Sequence, residues 1–143
     1  MKKVLQQGAI SPQFIADSIA KHSSKTNIGA HTIFLGQVRN DKIDSKEVQA
    51  IEYSAYEDMA EAAFHLIREE AFATYKLTCM HIYHSIGTVQ AGEISLFVFV
   101  SAPHRDEVFT ACATIVTQIK DRVPIWGKEI LEDGTHLWKF NKQ

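Results

Sequence analysis

The chain has 143 residues, of which 45% are hydrophobic and 22% are charged, and its formal net charge at pH 7 is -2. This length and composition are typical of a globular protein with a sizeable core, so we predict one domain over residues 1–143. The nearly balanced charge argues against a general nucleic-acid or membrane-surface binder. Recognition of an anion must therefore be local.

No apolar run approaches the roughly 20 residues that a membrane-spanning helix needs, and the first residues lack the apolar segment of a signal peptide. We therefore expect a cytoplasmic protein with no membrane contact. Cys79 and Cys112 each lie in an apolar, periodic stretch. This favours two buried free thiols over a disulfide or part of a metal site.

The spacing of apolar residues predicts three helices and six strands. In chain order these are a helix over residues 11–22, strands over 30–38 and 48–53, a helix over 56–75, strands over 77–85 and 93–102, a helix over 106–122, and a hairpin of 125–131 with 136–140. The strand at 94–100 is apolar on both faces, which predicts a central position. The polar segment 40–46 predicts a loop. We expect an α+β fold with a mixed or antiparallel sheet and helices packed on it.

His81 and His84 form an HxxH pair, a spacing that occurs in metal sites. On a strand, however, side chains three residues apart point to opposite faces, so these two imidazoles cannot share one ion. We expect core or surface histidines and no metal site.

Several cations stand at the ends of predicted elements. They are Arg39, His104, Arg105, Lys120, Arg122 and Lys128. Basic residues in a last helical turn are favoured by the helix dipole and need no function, and spacing alone supports that interpretation for each residue. The functional alternative is an anion pocket, in which a lysine beside a second cation loses its proton more easily and can act as a base or nucleophile.

Several segments, taken together, resemble the large, catalytic subunit of molybdopterin synthase, the MoaE family. The matching segments are residues 34–40 (FLGQVRN), 51–53, Tyr56, 59–60, 84–87, 92–93, 101–105, Lys120 and 123–129 (VPIWGKE). The match spans residues 30–138 in the right order, and the joint presence of the three segments that contain Arg39, His104 and Trp126 is specific.

The resemblance implies an α/β-hammerhead-like fold and a sulfurtransferase of molybdenum cofactor biosynthesis. Such an enzyme adds two sulfurs to cyclic pyranopterin monophosphate and so forms molybdopterin. The sulfur comes from the C-terminal Gly-Gly thiocarboxylate of a small ubiquitin-like subunit. Two copies of the large subunit form a homodimer with a small subunit at each end, a heterotetramer overall, and no cofactor or metal is implied.

On the family pattern, Lys120 and Lys128 are the catalytic candidates, and Phe34 lines the pocket. The matching positions for binding the substrate are Arg39, His104 and Arg105.

One position departs from the family pattern. Gly127 stands where the family has a lysine, and Lys128 follows one residue later. A shift of one residue on a strand turns a side chain to the other face, so Lys128 reaches the site only if Gly127 forms a bulge. The alternative prediction is therefore a non-catalytic or attenuated paralogue, which binds the pterin phosphate or the small subunit without full turnover.

His104 and Lys120 bracket one predicted helix. A separation of 16 residues along a helix corresponds to about 24 Å, which one small substrate cannot bridge. If both residues serve one site, His104 and Arg105 must come from a second subunit, and the pocket lies at a dimer interface.

Overall fold

A computed structural model of the chain describes residues 3–140. The elements in chain order are β1 (Leu5–Gln7), α1 (Pro12–Lys21), β2 (Ala30–Gln37), β3 (Lys42–Ile43), β4 (Lys46–Ala55), α2 (Glu57–Thr74), β5 (Cys79–Gln90), β6 (Ile94–Ala102), α3 (Arg105–Arg122), β7 (Ile125–Leu131) and β8 (His136–Phe140). A single 3-10 turn, His22–Ser24, follows α1. In the part of the chain that is described, no helix is both long and apolar enough to cross a membrane.

The eight strands form one sheet in the order β2-β6-β5-β4-β7-β8, with β1 beside β5 and β3 beside β4. The β1–β5 pairing is parallel, and the other strand pairings are antiparallel. The α+β class and the mixed sheet predicted from the sequence are confirmed. The apolar strand β6 does lie inside the sheet, between β2 and β5.

Side chains of β6 alternate between two apolar layers. Leu96, Val98 and Val100 face the main core, which α2 and α3 cover with residues such as Phe64 and Ile115. On the opposite face, a smaller cluster packs α1 against the sheet; it contains Ile10, Ile15, Phe97 and Phe99. Both faces of the central strand are therefore covered, which explains its continuous apolar sequence.

Three segments differ from the sequence-based prediction, and the first is β1, a strand that the apolar spacing did not indicate. Strand β5 continues past the predicted end at residue 85 because residues 87–90 pair with β4. The segment predicted as a loop contains the two-residue strand β3, which forms a tight hairpin with β4. Asp44 and Ser45 at its turn have φ angles of 52° and 68°, a left-handed conformation that polar residues of this kind tolerate.

The imidazole of His84 is buried in the main core, with 2% of the residue exposed. Its Nδ1 atom lies 2.8 Å from the carbonyl oxygen of Ser85 and must donate, because a carbonyl can only accept. Burial, with a smaller effect from the nearby charge of Lys120, lowers the pKa of His84 to about 4, although the hydrogen bond to Ser85 opposes this shift. His84 is therefore neutral at pH 7. The alternation of β5 directs His81 to the other face, as predicted.

Gly127 on β7 lies opposite Tyr53 on β4, and the register between residues 125 and 130 of β7 and β4 is unbroken. There is thus no bulge at Gly127. A Cβ atom at this position would lie 2.6 Å from Cγ2 of Ile51 and 3.7 Å from the ring of Tyr53. The space above Gly127 is filled by a buried β-branched side chain.

We expect Gly127→Ala to lower the free energy of unfolding by about 1–3 kcal/mol, because Ile51 must move to admit the new methyl group. Urea unfolding of the single variants and of Gly127→Ala/Ile51→Ala measures the effect as a double-mutant cycle. Removing Cγ2 of Ile51 should reduce the cost of Gly127→Ala. An unchanged cost in both backgrounds would show that this contact is not the cause.

Stability should fall in acid because of His84. The folded-state pKa of about 4 lies below the ordinary value of 6.5, so the unfolded chain takes up the proton first as the pH falls. Stability is fully present above pH 6.5, and about 3 kcal/mol is lost by pH 4. Urea unfolding across this range should show a shallower loss for His84→Asn than for the wild type. Equal slopes in the two proteins would contradict a neutral, buried His84.

Candidate active site

A cavity of about 310 Å³ opens where the end of α3 meets the sheet. Residues from six elements line it, together with the segment that follows β2. Those that carry the argument are Phe34, Arg39, Tyr53, His84, Ser95, Lys120, Gly127 and Glu129. We call this space the Lys120 cavity.

Phe34 and Arg39 come from β2 and from the segment that follows it. Phe34 packs against the main core, so its ring forms a fixed apolar wall of the cavity. The side chain of Arg39 is 72% exposed, and its Nη2 atom lies 3.2 Å from Oδ2 of Asp41. An exposed ion pair of this kind is weak, so an anionic ligand can compete with Asp41 for the guanidinium.

Lys120 lies in the last turn of α3, next to Ile119, which is fully buried. The packing of Ile119 fixes the end of the helix and holds Lys120 at the rim of the core. The positive charge of Lys120 reaches His84 and helps to keep that imidazole neutral. A neutral imidazole beside the ammonium group avoids the repulsion that a second cation would create.

Arg122 stabilises the packing of two helices and does not contribute to the cavity. Its Nη1 and Nη2 atoms donate to the two carboxylate oxygens of Glu70 on α2, at 2.7 and 3.1 Å. This bidentate pair ties α3 to α2.

The sequence analysis did not assign a role to three polar residues of the cavity: Tyr53, His84 and Glu129. The hydroxyl of Tyr53 donates to Oγ of Ser95 at 3.1 Å. Burial raises the pKa of Tyr53, and the negative charge of Glu129 adds to the effect. Glu129 itself is 9% exposed. The sequence held one signal for Glu129. Residues two apart on a strand face the same side, so Glu129 was expected on the same side as Gly127.

Lys128 lies on the opposite face of β7. Its Nζ atom is 3.0 Å from Oε1 of Glu52, the residue directly across the β4–β7 ladder, and 5.7 Å from the ring centre of Trp138. Lys128 points away from the cavity because the register of β7 is unbroken at Gly127. The structure therefore brings Phe34, Arg39 and Lys120 together but does not bring Lys128 into the same cavity.

His104 and Arg105 stand at the other end of α3, where His104 is the N-cap residue. The described residues that line the Lys120 cavity do not include either of them. Helix α3 runs unbroken for 18 residues. The distance of about 24 Å inferred from the sequence therefore applies within one chain.

The cavity combines two cations, a buried carboxylate and three neutral hydrogen-bonding groups, those of Tyr53, His84 and Ser95. Arg39 and Lys120 can bind an anionic group such as a phosphate. Lys120 and Glu129 can each hold or release a proton at a site that is partly shielded from water. The arrangement suits transfer chemistry on a small anionic substrate.

Comparison with known proteins identifies the family. The family model described as MoaE protein matches residues 5–122. The molybdopterin synthase catalytic subunit of Pyrococcus abyssi is 41% identical over 120 residues, which cover 84% of this chain and 80% of that protein.

Solved structures agree in fold. Molybdopterin synthase from Staphylococcus aureus superposes with a TM-score of 0.84 at 31% identity, covering 97% of this chain and 98% of that chain. A complex of subunits 1 and 2 of the molybdopterin-converting factor from Helicobacter pylori gives a TM-score of 0.78 at 21% identity, covering 94% and 89%, and supports the fold alone. The chain therefore belongs to the MoaE family of molybdopterin synthase catalytic subunits, as its resemblance to them implied.

Proposed function

We propose that the Lys120 cavity is one half of a molybdopterin synthase site that acts in the cytoplasm. The reaction that the family resemblance implies moves sulfur from the C-terminal thiocarboxylate of a small ubiquitin-like subunit to cyclic pyranopterin monophosphate. The observation that carries the proposal is that Lys120 lines the same cavity as Phe34 and Arg39, which precede it by about 80 residues in the sequence. These are three of the positions that match the family pattern.

Arg39 and Lys120 are proposed to bind the cyclic phosphate of the substrate. Both are cations, and a charge-assisted hydrogen bond to a phosphate oxygen is about twice as strong as one between neutral groups. Charge that develops as the phosphate ring opens can be stabilised by the same two groups. Phe34 supplies an apolar surface for the flat pterin.

Lys120 is proposed as the general acid and base. It lies in a turn of α3 that is anchored by the buried Ile119, so its backbone has a defined position at the cavity. The same amine can stabilise the intermediate that joins the partner's carbonyl carbon to the pterin through sulfur. When that intermediate breaks down, water takes the place of sulfur and the partner is left with a carboxylate.

The second half of the site is proposed to come from another copy of the chain. His104 and Arg105 lie at the far end of α3 and cannot reach the Lys120 cavity of their own chain, since the helix between them is unbroken. In a homodimer they can complete the cavity of the partner copy. With one small subunit bound at each end, the assembly is a heterotetramer; the structural neighbour from Helicobacter pylori is itself a complex of subunits 1 and 2 of the molybdopterin-converting factor.

A specific observation favours a second candidate function. Gly127 leaves the cavity without the lysine that the family has there, and Lys128 pairs with Glu52 outside it. A chain of this kind can keep the binding surfaces and lose turnover.

A reconstituted reaction distinguishes the two functions. The purified chain, a thiocarboxylated small subunit and cyclic pyranopterin monophosphate should yield molybdopterin. A second large subunit of proven activity, assayed with the same small subunit, is the positive control. No product from this chain, together with measurable binding of the small subunit, would favour the binding function.

Lys120→Ala should lower kcat by at least about 100-fold, because a positioned acid or base contributes that much or more. Lys128→Ala is the matched control. It also removes a lysine ammonium group, but one that lies on the face of β7 away from the cavity. It should leave kcat close to the wild-type value. Circular dichroism and thermal melting check that both variants fold. Similar kcat values for the two variants would remove the distinction between the two lysines.

A further inference from the structure

A second cluster of side chains that can bind metals lies on the face of the sheet that α1 covers. His22 begins the turn after α1, and Cys79 and His81 stand two residues apart on β5, so their side chains share a face. One ligand atom from each of the three residues lies within 4.8 Å of the others. None of the three is among the described residues that line the Lys120 cavity.

The two imidazoles are oriented toward each other. Nδ1 of His22 lies 2.7 Å from the carbonyl oxygen of Ser18 and donates to it, so Nε2 of His22 presents its lone pair. That Nε2 atom is 3.0 Å from Nε2 of His81. A backbone carbonyl on the far nitrogen is the usual device that fixes the orientation of a metal-bound histidine.

Cys79 supplies a sulfur atom beside the two imidazoles, and it is 6% exposed. Nζ of Lys25 lies 2.9 Å from its Sγ atom. Metals bind cysteine as the thiolate, so a metal bound at Cys79 would replace this donor on the sulfur. Lys25 also carries a charge that opposes a bound cation, but it is an exposed loop residue whose ammonium can turn toward solvent.

Aromatic rings form part of the surroundings of the cluster. The ring of Phe99 contacts both imidazoles, with ring centres 4.8 Å from His22 and 6.3 Å from His81. His31 lies nearby with Nδ1 2.7 Å from Oγ of Ser101, and burial together with the influence of His22 holds its pKa below the usual value.

We propose that His22, Cys79 and His81 bind a transition-metal cation, for which Zn²⁺ is the best match. Two imidazole nitrogens and one thiolate are a favoured ligand set for zinc, with bonds of about 2.0–2.1 Å to nitrogen and about 2.3 Å to sulfur, and water can take the fourth position. The two Nε2 atoms need to separate by only a few tenths of an ångström. Binding releases to solvent the proton shared by the Nε2 atoms and any proton on the thiol.

A metal at this position would join the end of α1 to the central strand β5. The two elements are otherwise connected through the apolar contacts of the small cluster around Phe97 and Phe99. Metal binding should therefore stabilise the folded chain, independently of the chemistry in the Lys120 cavity.

The test uses full-length, untagged protein freed of metal with a chelator. Zn²⁺ is titrated against a chromophoric competitor, and Co²⁺ serves as a spectroscopic probe. We expect one equivalent per chain, a thiolate-to-cobalt absorption band and a higher Tm with Zn²⁺. Cys79→Ser should abolish the band, and His22→Gln or His81→Gln should weaken binding at least tenfold. Cys112→Ser and His65→Gln are the matched controls and should behave as the wild type.

Wild-type binding no tighter than that of the triple variant His22→Gln/Cys79→Ser/His81→Gln would overturn the proposal. Because a variant can fail to fold, a second measurement uses the wild type alone. A thiol reagent followed by mass spectrometry compares labelling of Cys79 and Cys112 with and without Zn²⁺. Zn²⁺ should slow labelling of Cys79 at least tenfold and leave Cys112 unchanged, and equal effects on the two thiols would count against the site.

Discussion

The alternation of side chains along β-strands decides which groups of this protein can meet. On β7 it places Gly127 and Glu129 at the Lys120 cavity and Lys128 on the far side, against Glu52. On β5 it separates His84, which lines the cavity, from His81, which belongs to the cluster under α1. Since the period is two residues, a change of one position exchanges the two faces. The register of β7 against β4 is unbroken from residue 125 to residue 130, which maintains this division.

The length of α3 sets the second constraint. Lys120 and the pair His104–Arg105 occupy opposite ends of one unbroken helix, and no bend of the described chain brings them together. One chain therefore offers one set of cations at each end of α3. If the family's substrate-binding positions act together, as proposed, a second copy of the chain must supply what the first one lacks.

Elements that contain a long run of periodic apolar residues could be predicted from the sequence. Short strands could not, because they depend on pairing with a distant part of the chain. The three helices and six longer strands carry enough apolar residues to show their period. Strand β1 has three residues and depends on its pairing with residues 84–86 of β5, which no local pattern indicates. Strand β3 has only two residues, lies between polar residues and was predicted as a loop.

The same limit applies to the candidate site, where residues whose orientation depends on strand pairing could not be predicted. Phe34, Arg39 and Lys120 could be selected through the family resemblance, and the structure places them in one cavity. Tyr53, His84 and Glu129 were not selected, because whether a strand residue faces the cavity depends on register between strands. His81 and His84 do point to opposite faces of β5, as the sequence predicted. The potential partner of His81 is His22, which is 59 residues away in sequence and was beyond the reach of spacing arguments.

The most direct test of the account asks whether one site needs two chains. Lys120→Ala and His104→Ala are each expected to be inactive. Subunits of the two variants are mixed under conditions that allow exchange and assayed for molybdopterin formation. If Lys120 of one copy works with His104 of the other, each mixed dimer regains one intact site, and activity should approach a quarter of the wild-type value. No activity in the mixture, with mixed dimers verified by native mass spectrometry, would contradict a shared site.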